Sequence, residues 1–542
     1  MKRTRLAWGI IDASAARFSA ALVLSLATVS CSGRDEQWTG ATRGDTYGLT
    51  GSVALVDRSL DRLLMVTAPT DNRVDVRALP LGRNVTSILP SADRSRLFVL
   101  SEGAGDPTSP DSEGPRLTVV DGGTSPSVEN TFLLDDPLKK LTIDPLGEWV
   151  VAYEASAVVT NLNELVICSL ETGEATPKTI RSFGGAPKEL IFTSELNLPR
   201  GGARRFLVVR TDRDVALIDL ANLKRDEVTV QLPKTAAGDS TVPAQIVYDD
   251  GEADDDTDAR LAVRLEGQSD VVLLELGQPS GKGDFSTTIN IVDVGGVPSA
   301  IDFVRTDGGL RLAALVPTQR RATLVDPRTT TTEVVPFSTG YSQMRRITDG
   351  VTDAPENGDV ALLYSPEQAG FAFWSLGQTS GTPFRSVEAN DIDFAVTNVS
   401  DVPGDNRHLK LLSSQNKSQE SEPRIYVLDL EERQTFPLEV SSQDFRLVVA
   451  QDGGRAWAFS PWNNRFASID LESLHPTSLQ VSAQVSAIHD IQRADGGRAA
   501  LVFHGTEASS ETGDPGVTLL DALNPISAKS RFFGGLFLEG LR

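Results

Sequence analysis

An all-β fold built as a series of equivalent units is what this sequence predicts, on three observations. A short signature recurs about every fifty residues, a turn stands at a constant place before it, and no helix-length apolar periodicity runs through the repeat region. The signature is two or three apolar residues, then an acid or Ser, then often Leu. It reads Leu117-Thr118-Val119-Val120-Asp121, Val166-Ile167-Cys168-Ser169, Ala216-Leu217-Ile218-Asp219-Leu220 and Val272-Leu273-Leu274-Glu275-Leu276. It continues as Thr323-Leu324-Val325-Asp326, Phe373-Trp374-Ser375-Leu376, Tyr426-Val427-Leu428-Asp429-Leu430, Ser468-Ile469-Asp470-Leu471 and Leu519-Leu520-Asp521. The polar markers are spaced 48, 50, 56, 51, 49, 54, 41 and 51 residues apart. A fixed period means one supersecondary piece per repeat, each burying its faces against its neighbours.

The rest of each unit follows in order. An apolar stretch comes first, such as Ile88-Leu89 or Ala300-Ile301-Asp302-Phe303-Val304. A turn follows: Asp93-Arg94-Ser95, Pro145-Leu146-Gly147, Asp307-Gly308-Gly309, Asp452-Gly453-Gly454 or Asp495-Gly496-Gly497. Asp-Gly between apolar runs signals a hairpin, since Gly takes positive φ without a Cβ penalty. A second strand comes next (Leu97-Phe98-Val99-Leu100, Trp149-Val150-Val151, Leu312-Ala313-Ala314-Leu315), then the marker strand. A polar turn leads to a fourth stretch such as Thr332-Glu333-Val334-Val335-Pro336-Phe337. Four short strands in about fifty residues are the content of a β-propeller blade.

The Asp-Gly-Gly-Arg hairpins at Asp452 and Asp495, with the strand ending in Asp, resemble the WD40-like and YVTN-type bacterial propeller repeat proteins. The resemblance spans roughly residues 49–540, without a Trp-Asp dipeptide at strand ends or a literal Tyr-Val-Thr-Asn. It implies a fold and no particular activity, because propellers host many. Nine markers, with Val74-Asp75-Val76-Arg77-Ala78-Leu79 taken as a degenerate first unit, count about ten repeats. Propellers usually hold about four to eight blades, so seven to ten blades are expected in one domain over residues 49–542.

Residues 1–30 read as an export signal. A basic start (Lys2, Arg3, Arg5) precedes an uncharged apolar run from Phe18 to Val29, too short for a bilayer-spanning helix and of signal-core length. Thr28-Val29-Ser30-Cys31 places small residues before a cysteine and resembles the bacterial lipoprotein box. That resemblance implies lipid on Cys31 and an address in the cell envelope, the outer membrane being the expected destination. The alternative is ordinary signal-peptidase cleavage, which Thr28 and Ser30 also suit. Residues 31–48 read as a flexible tether rich in Gly, Thr and charge. The second cysteine, Cys168, lies in an apolar strand and is expected to pack as a small hydrophobe.

Composition narrows the partners. The chain carries a net charge of −23, and loss of Lys2, Arg3, Arg5, Arg17 and Asp12 with the signal takes it to −26. Such a surface repels nucleic acid and anionic lipid headgroups, so the expected partner is a protein, with the membrane met only through the lipid. Six Trp and six Tyr make a rich aromatic platform for carbohydrates or bases improbable.

The motifs of catalysis are sparse. His408, His475, His489 and His504 form no short-range pair, and there is no HExxH or Gly-x-Ser-x-Gly. Gly277-Gln278-Pro279-Ser280-Gly281-Lys282-Gly283 is one residue short of a P-loop and lacks its Ser or Thr. Asp249 to Asp258 packs seven acids into ten residues, and Asp254, Asp256 and Asp258 alternate as oxygen ligands for Ca²⁺. The competing reading, a solvated self-repelling loop, is preferred because Ala259 and Leu265 stand where an EF-hand needs Gly and Glu. No cofactor is expected. The expected function is a non-catalytic binding or protein-interaction scaffold. Its rival is a divalent-metal-dependent, lactonase-like hydrolase with carboxylates gathered at the channel.

Overall fold

Neighbouring faces of the repeats explain why their strands are apolar runs rather than alternating ones. In the second strand of the first repeat, Val53 and Leu55 pack one way and Ala54 and Val56 pack the other. A strand buried on both faces has no polar side to show, which is why periodicity alone reads as a continuous apolar segment. The computed structural model describes residues 45–534 apart from 58–60, 105–111, 156–160, 182–184, 199–201, 236, 252–258, 280–284, 307, 348–359, 378–386, 415–423, 440–444, 462 and 506–515.

Over the described residues the chain forms ten four-stranded antiparallel blades, a ten-bladed β-propeller with 62 % of residues in strands and 2 % in helix. The strand order within each blade follows the chain, first strand innermost, fourth strand outermost. Blade 4 carries an insertion, a small hairpin of Leu196–Leu198 and Gly202–Arg204, between its first and second strands.

Ten hydrophobic clusters fill the ring, each shared by two adjacent blades. The last joins Val53, Leu55, Leu64 and Val66 of blade 1 to Ile491, Leu501, Phe503 and Leu519 of blade 10. Closure therefore comes from packing, since blade 10 takes all four of its strands from residues 487–534. Each fully buried Val, Leu, Ile or Phe contributes about 1.5–3 kcal/mol, so one interface of ten such residues and two Ala holds the seam without strand exchange. Two hydrogen bonds reinforce it: Gln492 N donates to Thr50 O at 2.7 Å, and His489 Nε2 meets Thr46 Oγ1 at 2.9 Å.

The repeating signature lies on the third strands of blades 2 to 10, and in seven of them its polar residue organises the turn that follows. Asp121 accepts from Gly123 N, Asp219 from Ala221 N, and Ser169 from Thr172 N. Asp326, Asp429, Asp470 and Asp521 each accept from the amides two and three residues on. These are Asx-type turns, in which a short acceptor replaces a missing backbone partner. The Asp-Gly segments join first to second strands. There Asp452 and Asp495 are exposed and accept from Gly454 N and Gly497 N at 3.0 Å.

Two sequence expectations change. Val74–Leu79 is the outer strand of blade 1 (Arg73–Pro80), not a degenerate marker; that blade's third strand, Arg62–Thr70, runs past its apolar core without a terminal acid. Residues 45–48, assigned to the tether, form the innermost strand of blade 1, because Asp45–Gly48 pairs in register with Val53–Val56. Cys31 and residues 1–44, like Asp254, Asp256 and Asp258, lie outside the described residues.

Candidate functional site

The ten first strands stand innermost in the ring, and their charge departs from that of the whole chain. These strands carry Lys139, Lys140, Lys188, Arg305, Arg345, Arg346 and Arg446 against Asp45, Glu189, Asp249, Asp302, Asp401 and Asp490. Seven bases and six acids make the inner strands nearly balanced in a chain of net charge −23, so the acid excess lies on other segments. Among the described residues no group of three or more His, Cys, Asp or Glu is placed to hold a metal ion.

Many of these polar groups tie one blade to the next. An innermost strand has an unpaired edge, and buried edges need partners. Gln245 in blade 5 supplies them for Ile301 in blade 6: its Nε2 donates to Ile301 O at 2.9 Å and its Oε1 accepts from Ile301 N at 3.1 Å. Arg210 and Arg264 occupy matching places in the second strands of blades 4 and 5. Arg210 pairs with Glu189 of its own blade at 2.7 Å and reaches Pro243 O of the next at 2.7 Å. Arg264 does the same more loosely, with Gln245 and Pro298 O at 3.4 Å. Arg346 donates to Phe303 O at 3.2 Å, and Arg345 to Val399 O at 2.8 Å. Blades 3 and 4 are joined by Arg205, which meets the buried Asp144 and, at 2.5 Å, Glu148.

The closing seam gathers two strongly displaced titratable groups, His489 and Asp490. His489, on the innermost strand of blade 10, keeps an accessible edge, yet the seam strips its water. Desolvation, with a smaller push from Arg94, takes its pKa down to about 4. The neutral ring lies against Phe503 with centroids 5.9 Å apart. Its neighbour Asp490 faces the opposite way, pairs with Arg498, and is pushed up to about 6. Burial is the largest influence there, opposed by Arg498 and Arg94 and aided by Asp452. Arg498 also reaches Asp452 of blade 9 at 3.3 Å. Perturbed groups mark functional sites and structural networks alike. The partners here belong to blades 1, 2, 9 and 10, so the network spans the joint where the ring closes.

The acid-rich loop of blade 5 is held at its neck by the hairpin inserted in blade 4. Asn197 N donates to Asp250 O at 2.8 Å, Asn197 Nδ2 to Gly251 O at 2.9 Å, and Ala259 N to Asn197 O at 3.1 Å. Ser194 N donates to the Tyr248 hydroxyl at 3.1 Å. Burial raises the Asp249 carboxyl above its ordinary value, against the Gly251 amide that it accepts. The sequence showed the acids; the clamp was illegible in it, because Leu196–Leu198 belongs to another repeat.

The four histidines do not converge. His475 is exposed at the start of an outer strand, and His408 precedes a second strand. His504 is buried at the end of one, its two ring nitrogens 2.8 Å from Gln484 O and Thr518 Oγ1. Cys168 is buried between blades 2 and 3, and burial pushes its thiol up to about 12. A thiol that does not ionise is no nucleophile.

No protein-family model and no curated protein sequence matches this chain. Among solved structures it is similar to the dihydro-heme d1 dehydrogenase NirN, at 13 % identity over 73 % of this chain and 75 % of that one, TM-score 0.41. It is also similar to a eukaryotic initiation factor, at 10 % identity over 85 % and 93 %, TM-score 0.43. A third is apo AztD from Citrobacter koseri, at 11 % over 72 % and 95 %, TM-score 0.34. Likenesses at this level transfer no activity to the chain.

Proposed function

We propose that this protein is an exported propeller, held in the cell envelope by lipid on Cys31, that serves as a rigid non-catalytic scaffold for a protein partner. One observation carries the reading: at the closing seam the two displaced groups are taken up in structural contacts, His489 with Thr46 of blade 1 and Asp490 with Arg498, which itself reaches Asp452 of blade 9. Groups committed to holding a ring shut are unsuited to proton transfer, and what is left for recognition is the turns and the outer strands. The near balance of charge along the inner strands supports the same view, since a metal-dependent hydrolase requires carboxylates focused at one place. The acidic surface makes nucleic acid a poor partner.

The test has two arms. Replacement of Cys31 by Ala is expected to release the protein from the membrane fraction or to block its processing. An unmodified mature N-terminus in the wild type, seen by mass spectrometry, ends the lipid anchor. The purified protein is expected to turn over no lactone or ester with Ca²⁺, Mg²⁺, Mn²⁺ or Zn²⁺ present. Turnover abolished by EDTA and restored by one metal replaces the scaffold with the hydrolase. Bound Ca²⁺ without turnover leaves the scaffold standing.

A further inference from the structure

Outer strands of a propeller expose one edge of backbone N–H and C=O groups, a template for foreign strands that proteins blunt with charge, proline or brevity. Nine blades here do so. The outer strand of blade 1 carries Arg73, Asp75 and Arg77, that of blade 2 Glu129, and that of blade 7 Glu388, Asp391 and Asp393. Pro177, Pro336, Pro437 and Pro476 interrupt those of blades 3, 6, 8 and 9. Those of blades 4 and 10 are four residues long. Blade 5 is the exception. Its outer strand Phe285–Asp293 runs nine residues, FSTTINIVD, with no Lys, Arg or Pro and its single charge at the end.

The register shows which groups face outward. Val294 N donates to Ser269 O, directly opposite in the ladder, so alternate positions back from there (Val292, Asn290, Thr288) turn their backbone groups to the third strand. Thr287, Ile289 and Ile291 therefore turn theirs to the open edge, and no hydrogen bond to those groups occurs among the described residues. The side chains of the last two are exposed as well, Ile289 at 41 % and Ile291 at 52 %. Edge and apolar pair coincide.

We propose that this edge docks an extended segment of another protein by strand addition. The segment places apolar or β-branched side chains at alternate positions beside Ile289 and Ile291, and carries Lys or Arg at the end lying next to Asp293. Backbone pairing supplies affinity in this mode and alternate side chains supply selectivity. Charge decides the occupant. Asp293 stands opposite Asp270 in register, two acids at one end of the docking edge. A second copy of this chain would bring its own −23 to the contact. A neutral or basic strand is favoured over self-association. The inference rests on the scaffold reading and names one surface for it.

The experiment uses the full chain in detergent, with the nonapeptide KTVTITVTK as probe and ETVTITVTE as its acidic counterpart. The basic peptide is expected to slow hydrogen exchange of the 287, 289 and 291 amides and to bind at least ten-fold tighter than the acidic one. Ile291→Pro removes an outward N–H, which an edge position tolerates, and Ile289→Lys places a charge beside the site. Each is expected to weaken the basic peptide ten-fold or more, while Val334→Lys on the next blade leaves it unchanged. Ile289→Lys keeps the test valid if the proline variant unfolds. No peptide effect on exchange, equal binding of both peptides, or a dimer abolished by Ile291→Pro overturns the proposal. An envelope partner captured equally by wild type and Ile291→Pro also overturns it, and leaves the scaffold reading intact.

Discussion

A Cβ on Gly48 would stand 2.7 Å from His489 Nδ1, with Cγ and Cβ of the same side chain at 3.2 and 3.3 Å. The glycine is needed for this close approach across the seam rather than for its backbone freedom. The ring has little room to yield, because its Nε2 is bonded to Thr46 and its edge lies on Phe503. Gly48→Ala is expected to destabilise the ring by about 1–3 kcal/mol, the usual cost of overpacking. Adding His489→Ala should return part of the loss, and denaturant midpoints of the two single variants and the double variant measure it. Additive losses would show that the two residues do not meet.

His489 and Asp490 oppose each other in pH dependence. The lowered pKa of His489, about 4, means the unfolded chain binds its proton first, so stability is lost as pH falls from about 6.5 towards 4. The raised pKa of Asp490, about 6, means the folded chain binds its proton first, so stability is lost as pH rises from about 3.9 through 6. Relative to the wild type, His489→Gln should become more stable as pH drops from 6.5 to 4.5. Asp490→Asn should become less stable over the same interval. Thermal midpoints across that window decide; parallel curves for all three proteins would refute both assignments.

Ion pairs in this ring should differ sharply in worth. The Asp144 side chain is fully buried and Arg205 is 11 % exposed, so Arg205→Ala leaves a buried carboxylate without its counter-charge. About 3 kcal/mol or more is the expected cost. The pair Arg73–Asp75, with side chains 66 % and 42 % exposed, should lose under about 1 kcal/mol in Arg73→Ala. Urea unfolding of the two variants side by side tests the ranking, and equal losses would contradict it.

Cys168 should resist thiol reagents in the folded protein. With the thiol buried and its pKa near 12, a Cys31→Ala variant is expected to give no reaction with an aromatic disulfide at pH 8 until denaturant is added. Rapid labelling of the native variant would mean that the seam between blades 2 and 3 opens.

The repeat was legible in the sequence because its signals are local. A terminal Asp or Ser caps the turn that follows it two or three residues on, as at Asp326 and Asp470, and leaves a mark wherever the turn recurs. Blade 1 hid its own marker, since Arg62–Thr70 ends without an acid, and so Val74–Leu79 stood in for the wrong strand. The ties around the channel were not legible. Gln245 and Ile301 lie in different repeats, and nothing local to either predicts that amide and backbone meet.

By itself, then, the sequence determined the blade: four short strands, an Asp-Gly turn, an acid-capped third strand, and apolar faces on both sides of each sheet. Only the tertiary structure decided that ten such blades close one ring, and which groups the closure consumes. The physical reason is range. A turn is settled by hydrogen bonds between residues two to four apart, whereas the seam joins Thr46 to His489 across 443 residues. Its desolvation, its opposed proton affinities and its demand for Gly48 exist only once the first blade and the last are packed together.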